Sequence, residues 1–247
     1  MRFKLLFSII FSLMVAIACT PSETDDSVTL APTQAILEGS VDIMFPPSGA
    51  VIYAEVIYLS GTASDIPAEG FQIQLIAPDD SIIAEATVPH PETEEWSISI
   101  VHNYAGDPSE INIVAKSVDS SNTLSYDIES IILATMDNRP DGTFGEITSP
   151  DEGTSIGGDS LLVSGHGSGF FENTFSLILE TLDGEIIEEI PVTLNNPNFV
   201  DDMPWQAEIP RGDFIGNARI RMAYQDMESG DTITLDSIDI VVSTVAG

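Results

Sequence analysis

The chain has 247 residues, with 40 acidic against seven basic side chains and a formal net charge of −33. Such a field repels nucleic acid and anionic headgroups, whose binding needs clustered Lys and Arg, so no nucleic-acid partner is expected. At 43% hydrophobic residues the chain is too apolar to be a disordered acidic tail and can bury real cores. The acidic surface is read either as attracting cations and basic partners or as serving solubility in a salty medium, where counterions screen repulsion beyond about 10 Å.

Residues 1–18 read as an export signal. Arg2 and Lys4 precede an apolar run over 5–15 that is too short for a stable membrane span. Ala16-Ile17-Ala18-Cys19 closes the segment and resembles a bacterial lipobox, in which the Cys is lipidated and becomes the first residue after cleavage. Cys19 is the sole cysteine, so it has no disulfide partner within the chain. An ordinary signal cut near Ala18 is the alternative. With the lipobox, the protein is expected to be exported and lipid-anchored to the bacterial cell membrane on its extracytoplasmic side. Residues 19–39, rich in Thr, Ser, Pro and acid, read as a flexible tether that would span roughly 25 Å; a short helix is the alternative over 33–37.

From residue 40 the chain says nearly the same thing twice. Gly61 answers Gly165, Phe71 answers Phe175, Trp96 answers Trp205 and Ile113 answers Ile220. In the first copy, 40–134, the alternating runs predict strands over 41–45, 55–60, 71–77, 82–88, 96–101, 111–118 and 125–133. A short linker follows over 135–143, with Pro140 and Gly142, and predicts domains set end to end with limited swing. In the second copy, 144–247, strands are predicted over 145–148, 160–164, 174–180, 186–193, 205–209, 217–224 and 232–242. Period-two alternation buries one face of a sheet and wets the other. Pro78-Asp79-Asp80 and Leu182-Asp183-Gly184 mark the same hairpin in both copies, and the turn 119–122 answers 228–231. About seven strands per hundred residues without helices makes the fold all-β, two tandem antiparallel β-sandwiches after the signal and tether.

The second copy carries a more specific pattern. Ile147-x-x-Pro150-x-x-Gly153, Gly165, Phe171-Glu172, Asp183-Gly184 and Trp205 resemble the immunoglobulin-like domain of bacterial spore germination proteins. The first copy keeps Pro46, Gly49, Gly61 and Trp96 but has Ala68-Glu69-Gly70-Phe71 at the aromatic-Glu step and Asp80 for the hairpin glycine. The resemblance covers most of 41–243 and implies immunoglobulin-like sandwiches of the kind used as accessory modules of exported proteins. No germination domain accompanies them, so that process is not carried over.

Candidate chemistry is sparse. Trp96 and Trp205 suit sugar stacking, yet each opens a strand with alternating apolar neighbours, which predicts core. Gly165-His166-Gly167-Ser168-Gly169 lacks the spacing and strand-to-helix setting of a nucleophile elbow, and its twin at Gly61 has no His, so loop glycines are expected. His90, His102 and His166 do not pair at ligand spacing, so zinc and copper are not expected. An insertion unique to the second copy, 194–204, brings Asn195, Asn196, Asn198, Asp201 and Asp202 together. These are hard oxygen donors, which makes calcium the one ion to consider, although no D-x-[DN]-x-[DN]-G loop is present. No cofactor, resident metal or catalytic residue is expected. The same insertion is the candidate contact loop, with Asn198, Phe199, Asp201 and Asp202 as its contact residues; a tolerated long hairpin loop is the alternative. The expected role is non-catalytic recognition of an envelope protein or glycan, against a passive spacer or scaffold and a peptidoglycan- or carbohydrate-associated accessory module.

Overall fold

The computed structural model describes residues 38–118, 123–126 and 128–244. The signal, Cys19, the tether up to residue 37 with its short helix, and the turn 119–122 lie outside the described residues; Glu38 and Gly39, expected to be tether, instead open the first strand, paired in parallel with Thr123 and Leu124.

Seventeen strands are described, β1 (Glu38–Phe45), β2 (Val51–Ile52), β3 (Val56–Ser64), β4 (Phe71–Ile76), β5 (Ile82–Val88), β6 (Glu95–Val101), β7 (Ser109–Ser117), β8 (Thr123–Tyr126) and β9 (Ile128–Leu133) in the first copy, then β10 (Phe144–Ser149), β11 (Ser155–Gly157), β12 (Ser160–Ser168), β13 (Thr174–Thr181), β14 (Ile186–Thr193), β15 (Met203–Pro210), β16 (Gly216–Gln225) and β17 (Thr232–Ser243) in the second. The first copy forms sheets of order β6-β3-β1-β8 and β2-β9-β7-β4-β5; the second forms β10-β12-β15 and β11-β17-β16-β13-β14. Both are immunoglobulin-like sandwiches: the first strand pairs with the third in one sheet, and a short continuation crosses to the other sheet beside the last strand.

The long strands follow the alternation, and three features do not. β2 and β11 pair in parallel with β9 and β17 over two and three residues, too short to show any period. The single strand expected over 125–133 is two, β8 pairing with β1 in one sheet and β9 with β7 in the other. The glycine run 165–168 is not a loop but the second half of β12, paired with β10 as far as Ser168 and with β15 as far as Gly167.

Each core is built on the same three residues. The Trp96 indole stacks edge-on to Phe71 at 5.4 Å, and Trp205 to Phe175 at 5.1 Å. Trp96 Nε1 donates to the Thr62 carbonyl and Trp205 Nε1 to the His166 carbonyl, both at 3.1 Å. Burying so large a ring contributes a few kcal/mol, and the carbonyl satisfies its single donor. Gly61 and Gly165 make room for it: an added Cβ would lie 1.9 Å from the Asp42 carbonyl oxygen in one and 2.0 Å from that of Glu146 in the other, against the indole in both. The tryptophans are therefore core, as the alternation predicts. The hairpins also match: Asp80 at φ 65° takes the left-handed position that Gly184 takes at 86°.

Candidate functional site

The two copies diverge most where β14 runs into β15. The connecting loop reaches the first sandwich. Asp202 and Val51 exchange backbone hydrogen bonds of 2.8 and 2.9 Å, so the loop covers the outer edge of β2, whose other edge pairs with β9. Covering an edge this way satisfies polar groups that would otherwise template foreign pairing. Next to it the Asp201 carboxylate is fully buried and accepts from three donors: Tyr53 N at 2.8 Å and Ala54 N at 3.1 Å on Oδ1, and Asn198 Nδ2 at 2.8 Å on Oδ2. Asn198 Nδ2 also reaches the Val56 carbonyl at 3.2 Å. From the other side His102, buried in the first sandwich, donates through Nε2 to the Ala54 carbonyl at 2.8 Å while its Nδ1 accepts from Tyr104 N. Residues 53–56 are thus held between His102 and Asp201. Arg139 from the linker closes the junction, donating to the carbonyls of Val200 at 3.0 Å and Gly142 at 3.2 Å.

Asp202 sits differently. Its carboxylate is 3.7 Å from His166 Nδ1. Burial raises its pKa above the ordinary 3.8; His166 and the Gly167 amide oppose that, and Glu146 adds to it. The Tyr53 phenol is likewise pushed up, first by burial and then by Asp202, with Arg139 opposing. The junction is held by the hydrogen bonds of Asp201, Asn198 and Arg139, whereas the buried charge of Asp202 carries a desolvation cost. Three N–H donors take most of the acceptor capacity of the Asp201 carboxylate. Asn173 Oδ1, Asn196 Oδ1 and the carboxylate Oδ1 of Asp202 are buried without hydrogen-bond partners, three oxygens against the six to eight ligands calcium takes. Among the described residues no group of three or more His, Cys, Asp or Glu is placed to hold a metal ion.

Of the four candidate contact residues, Asp201 and Asp202 face inward and Asn198 is half-buried across the junction; Phe199 alone is displayed, 52% exposed. Its φ of 60° is left-handed, a conformation that costs an L-residue about 1–2 kcal/mol. Three bonds hold it there: Phe199 N to the Asn196 carbonyl, Gly169 N to the Phe199 carbonyl and Arg139 to the next carbonyl. Phe199 lines a hollow of about 410 Å³ together with Phe170, Phe171, Tyr224, Asp226 and Met227. Only Phe199 and the Phe171-Glu172 step of that set stood out in the sequence, because hollow residues come from three separated turns. A second hollow, about 630 Å³, lies against β1, β3 and β6 with Met44, Tyr58 and the buried Trp96 in its wall and Asn195 of the second sandwich at its rim. The His166–Ser168 stretch assembles no nucleophile: the Ser168 residue is 1% exposed and the His166 ring faces Asp202.

Fold and site define a tandem immunoglobulin-like protein whose sandwiches are hydrogen-bonded through an inserted loop. No family model matches the chain, and no curated protein matches it. Among solved structures it is similar to CopC from Methylosinus trichosporium OB3b (12% identity over 41% of this chain and 93% of that one, TM-score 0.28). It is also similar to a tetra-tandem repeat in the extending region of a large adhesion protein (13%, 84% and 49%, TM-score 0.29) and to the human OSCAR ligand-binding domain (10%, 82% and 97%, TM-score 0.32). Scores this low carry nothing about role, and the fold assignment rests on the strand order above.

Proposed function

We propose that this chain is a non-catalytic recognition protein, held at the outer face of a bacterial cell membrane by lipid on Cys19 and making its contact through the 194–204 loop. The observation that supports this is Phe199. A large apolar ring stands in solvent on a left-handed backbone fixed by three hydrogen bonds, in a segment the first sandwich lacks. Loops on a sheet scaffold commonly carry contact residues, and backbone strain gathers where a side chain must be aimed. The junction bonds hold that loop against both sandwiches, so the ring is presented from a fixed base.

The test is photocrosslinking on intact cells from a benzoyl-phenylalanine placed at position 199. A discrete adduct with an envelope protein supports the reading. No adduct, with growth and envelope integrity unchanged on deletion of 197–200, makes the protein a passive spacer, and retention of the chain on purified cell-wall polysaccharide makes it a glycan module. Labelled palmitate entering the wild type but not Cys19→Ala tests the anchor.

A further inference from the structure

The hollow beneath Phe199 has a composition that selects a ligand. We propose that it binds an alkylammonium group, the lysine side chain of a basic segment on a partner protein; this rests on the recognition reading above and names its ligand. Four aromatic residues contribute to one concavity of about 410 Å³: Phe170 in its floor, Tyr224 at the end of β16, Phe171 from the turn before β13 and Phe199 from the inserted loop. Phe171, Phe199 and Met227 are 58%, 52% and 64% exposed, which makes the hollow a contiguous apolar mouth rather than scattered surface residues. Phe170 packs on both Phe175 and Tyr224, at 5.0 and 6.3 Å, so the floor is tied to the core. Phe199 has a left-handed φ of 60°, and Glu172 and Asn173, which follow Phe171 in the chain, have φ of 53° and 56°.

Charge decides what would enter. The carboxylate lining the hollow is Asp226, and its Oδ1 is fixed by the amides of Glu228 at 2.7 Å and Ser229 at 3.2 Å. The neighbouring cation, Arg139, has its guanidinium directed to the carbonyls of Val200 and Gly142; it keeps its positive charge, which opposes a second cation, so the selection rests on the rings and Asp226. Aromatic faces present negative charge to a cation, and rings beside a carboxylate favour an ammonium over a neutral or anionic group. A net charge of −33 draws a basic partner and repels an acidic one. The first sandwich has no equivalent: Ile66, Pro67 and Ser117 stand where Phe170, Phe171 and Tyr224 stand in the second, and no residue matches Phe199.

The experiment titrates the full lipidated chain, in neutral maltoside micelles at constant ionic strength, into fluorescent Gly-Ser peptides bearing one lysine, one trimethyl-lysine or one norleucine. Lysine and trimethyl-lysine peptides should bind, and the norleucine peptide about 10-fold more weakly. Phe171→Ala and Phe199→Ala should each lose about 3- to 5-fold, the size of one ring's cation–π contribution, and Asp226→Asn a similar factor. Melting curves confirm that each variant is folded, and Phe171→Ala, outside the junction, carries the test if Phe199→Ala is not. Equal norleucine binding, or lysine binding indifferent to both rings, overturns the proposal. So does binding to phosphatidylcholine vesicles through both rings with no lysyl-peptide binding, which would make the ligand a lipid surface. If a partner crosslinks at 199 yet lysyl peptides do not compete, the recognition reading stands and this inference falls; if lysyl peptides bind but no partner is found on cells, the hollow's preference for an ammonium stands, while the recognition reading and the partner's basic segment as its ligand both fall.

Discussion

In the first sandwich β5 and β6 are joined by residues 89–94; in the second, β14 and β15 are joined by residues 194–202. The strands on either side superimpose in register, with Gly61 opposite Trp96 and Gly165 opposite Trp205. A longer loop adds little closure entropy, because that term grows only with the logarithm of length, while a changed core residue disturbs close packing at once. Duplication therefore left the cores alike and let one loop acquire a junction, a buried carboxylate and a displayed aromatic ring.

The largest effects should fall on what the copies share. Trp96→Ala and Trp205→Ala should each destabilise their own sandwich by about 4 kcal/mol, read for each variant as a lowered melting temperature in calorimetric unfolding. A loss confined to ligand binding, with melting unchanged, would mean the indoles are platforms after all. Gly61→Ala and Gly165→Ala should be comparably damaging, since the new methyl would meet backbone.

Next comes the feature only one copy has. Asp201→Ala leaves the Tyr53 and Ala54 amides without their acceptor and should weaken the junction by about 3 kcal/mol. The two sandwiches should then melt in resolved steps, and hydrogen exchange should rise at 53–54. A variant that still melts as wild type would remove Asp201 from the junction.

A third contrast lies between the sheets. Glu180 and Arg221 form a largely buried ion pair at 3.0 Å where the first copy has Ile76 and Val114. Removing either partner alone should cost about 3 kcal/mol, whereas the double change Glu180→Ile with Arg221→Val, already present in the first copy, should be neutral or stabilising. Equal losses in the singles and the double, measured by urea unfolding, would contradict this.

The smallest effect separates the adjacent acids. Because burial raises the folded pKa of Asp202, the folded state holds its proton more tightly than the unfolded chain. Stability is therefore gained as pH falls through the raised value toward 3.8, and the penalty is fully present above it. Asp202→Asn should melt slightly higher than wild type at neutral pH, with the difference closing below pH 3.8. A lower melting temperature at neutral pH would show that the His166 pairing outweighs desolvation.

Within the chain itself, period-two alternation and the two aligned copies determined the long strands, the hairpins and the inward tryptophans. Those follow from local pattern: side chains alternate across a strand, and a ring with alternating apolar neighbours faces the core. The sequence marked 194–204 as the place to look but read its acids as contact residues. Only the tertiary structure turned Asp201 inward, to amides 148 and 147 residues earlier in the chain, because such a bond leaves no local period. The same holds for β2 and β11, which exist through parallel pairing to distant strands, and for the aromatic hollow, whose rings come from turns that the fold alone brings together.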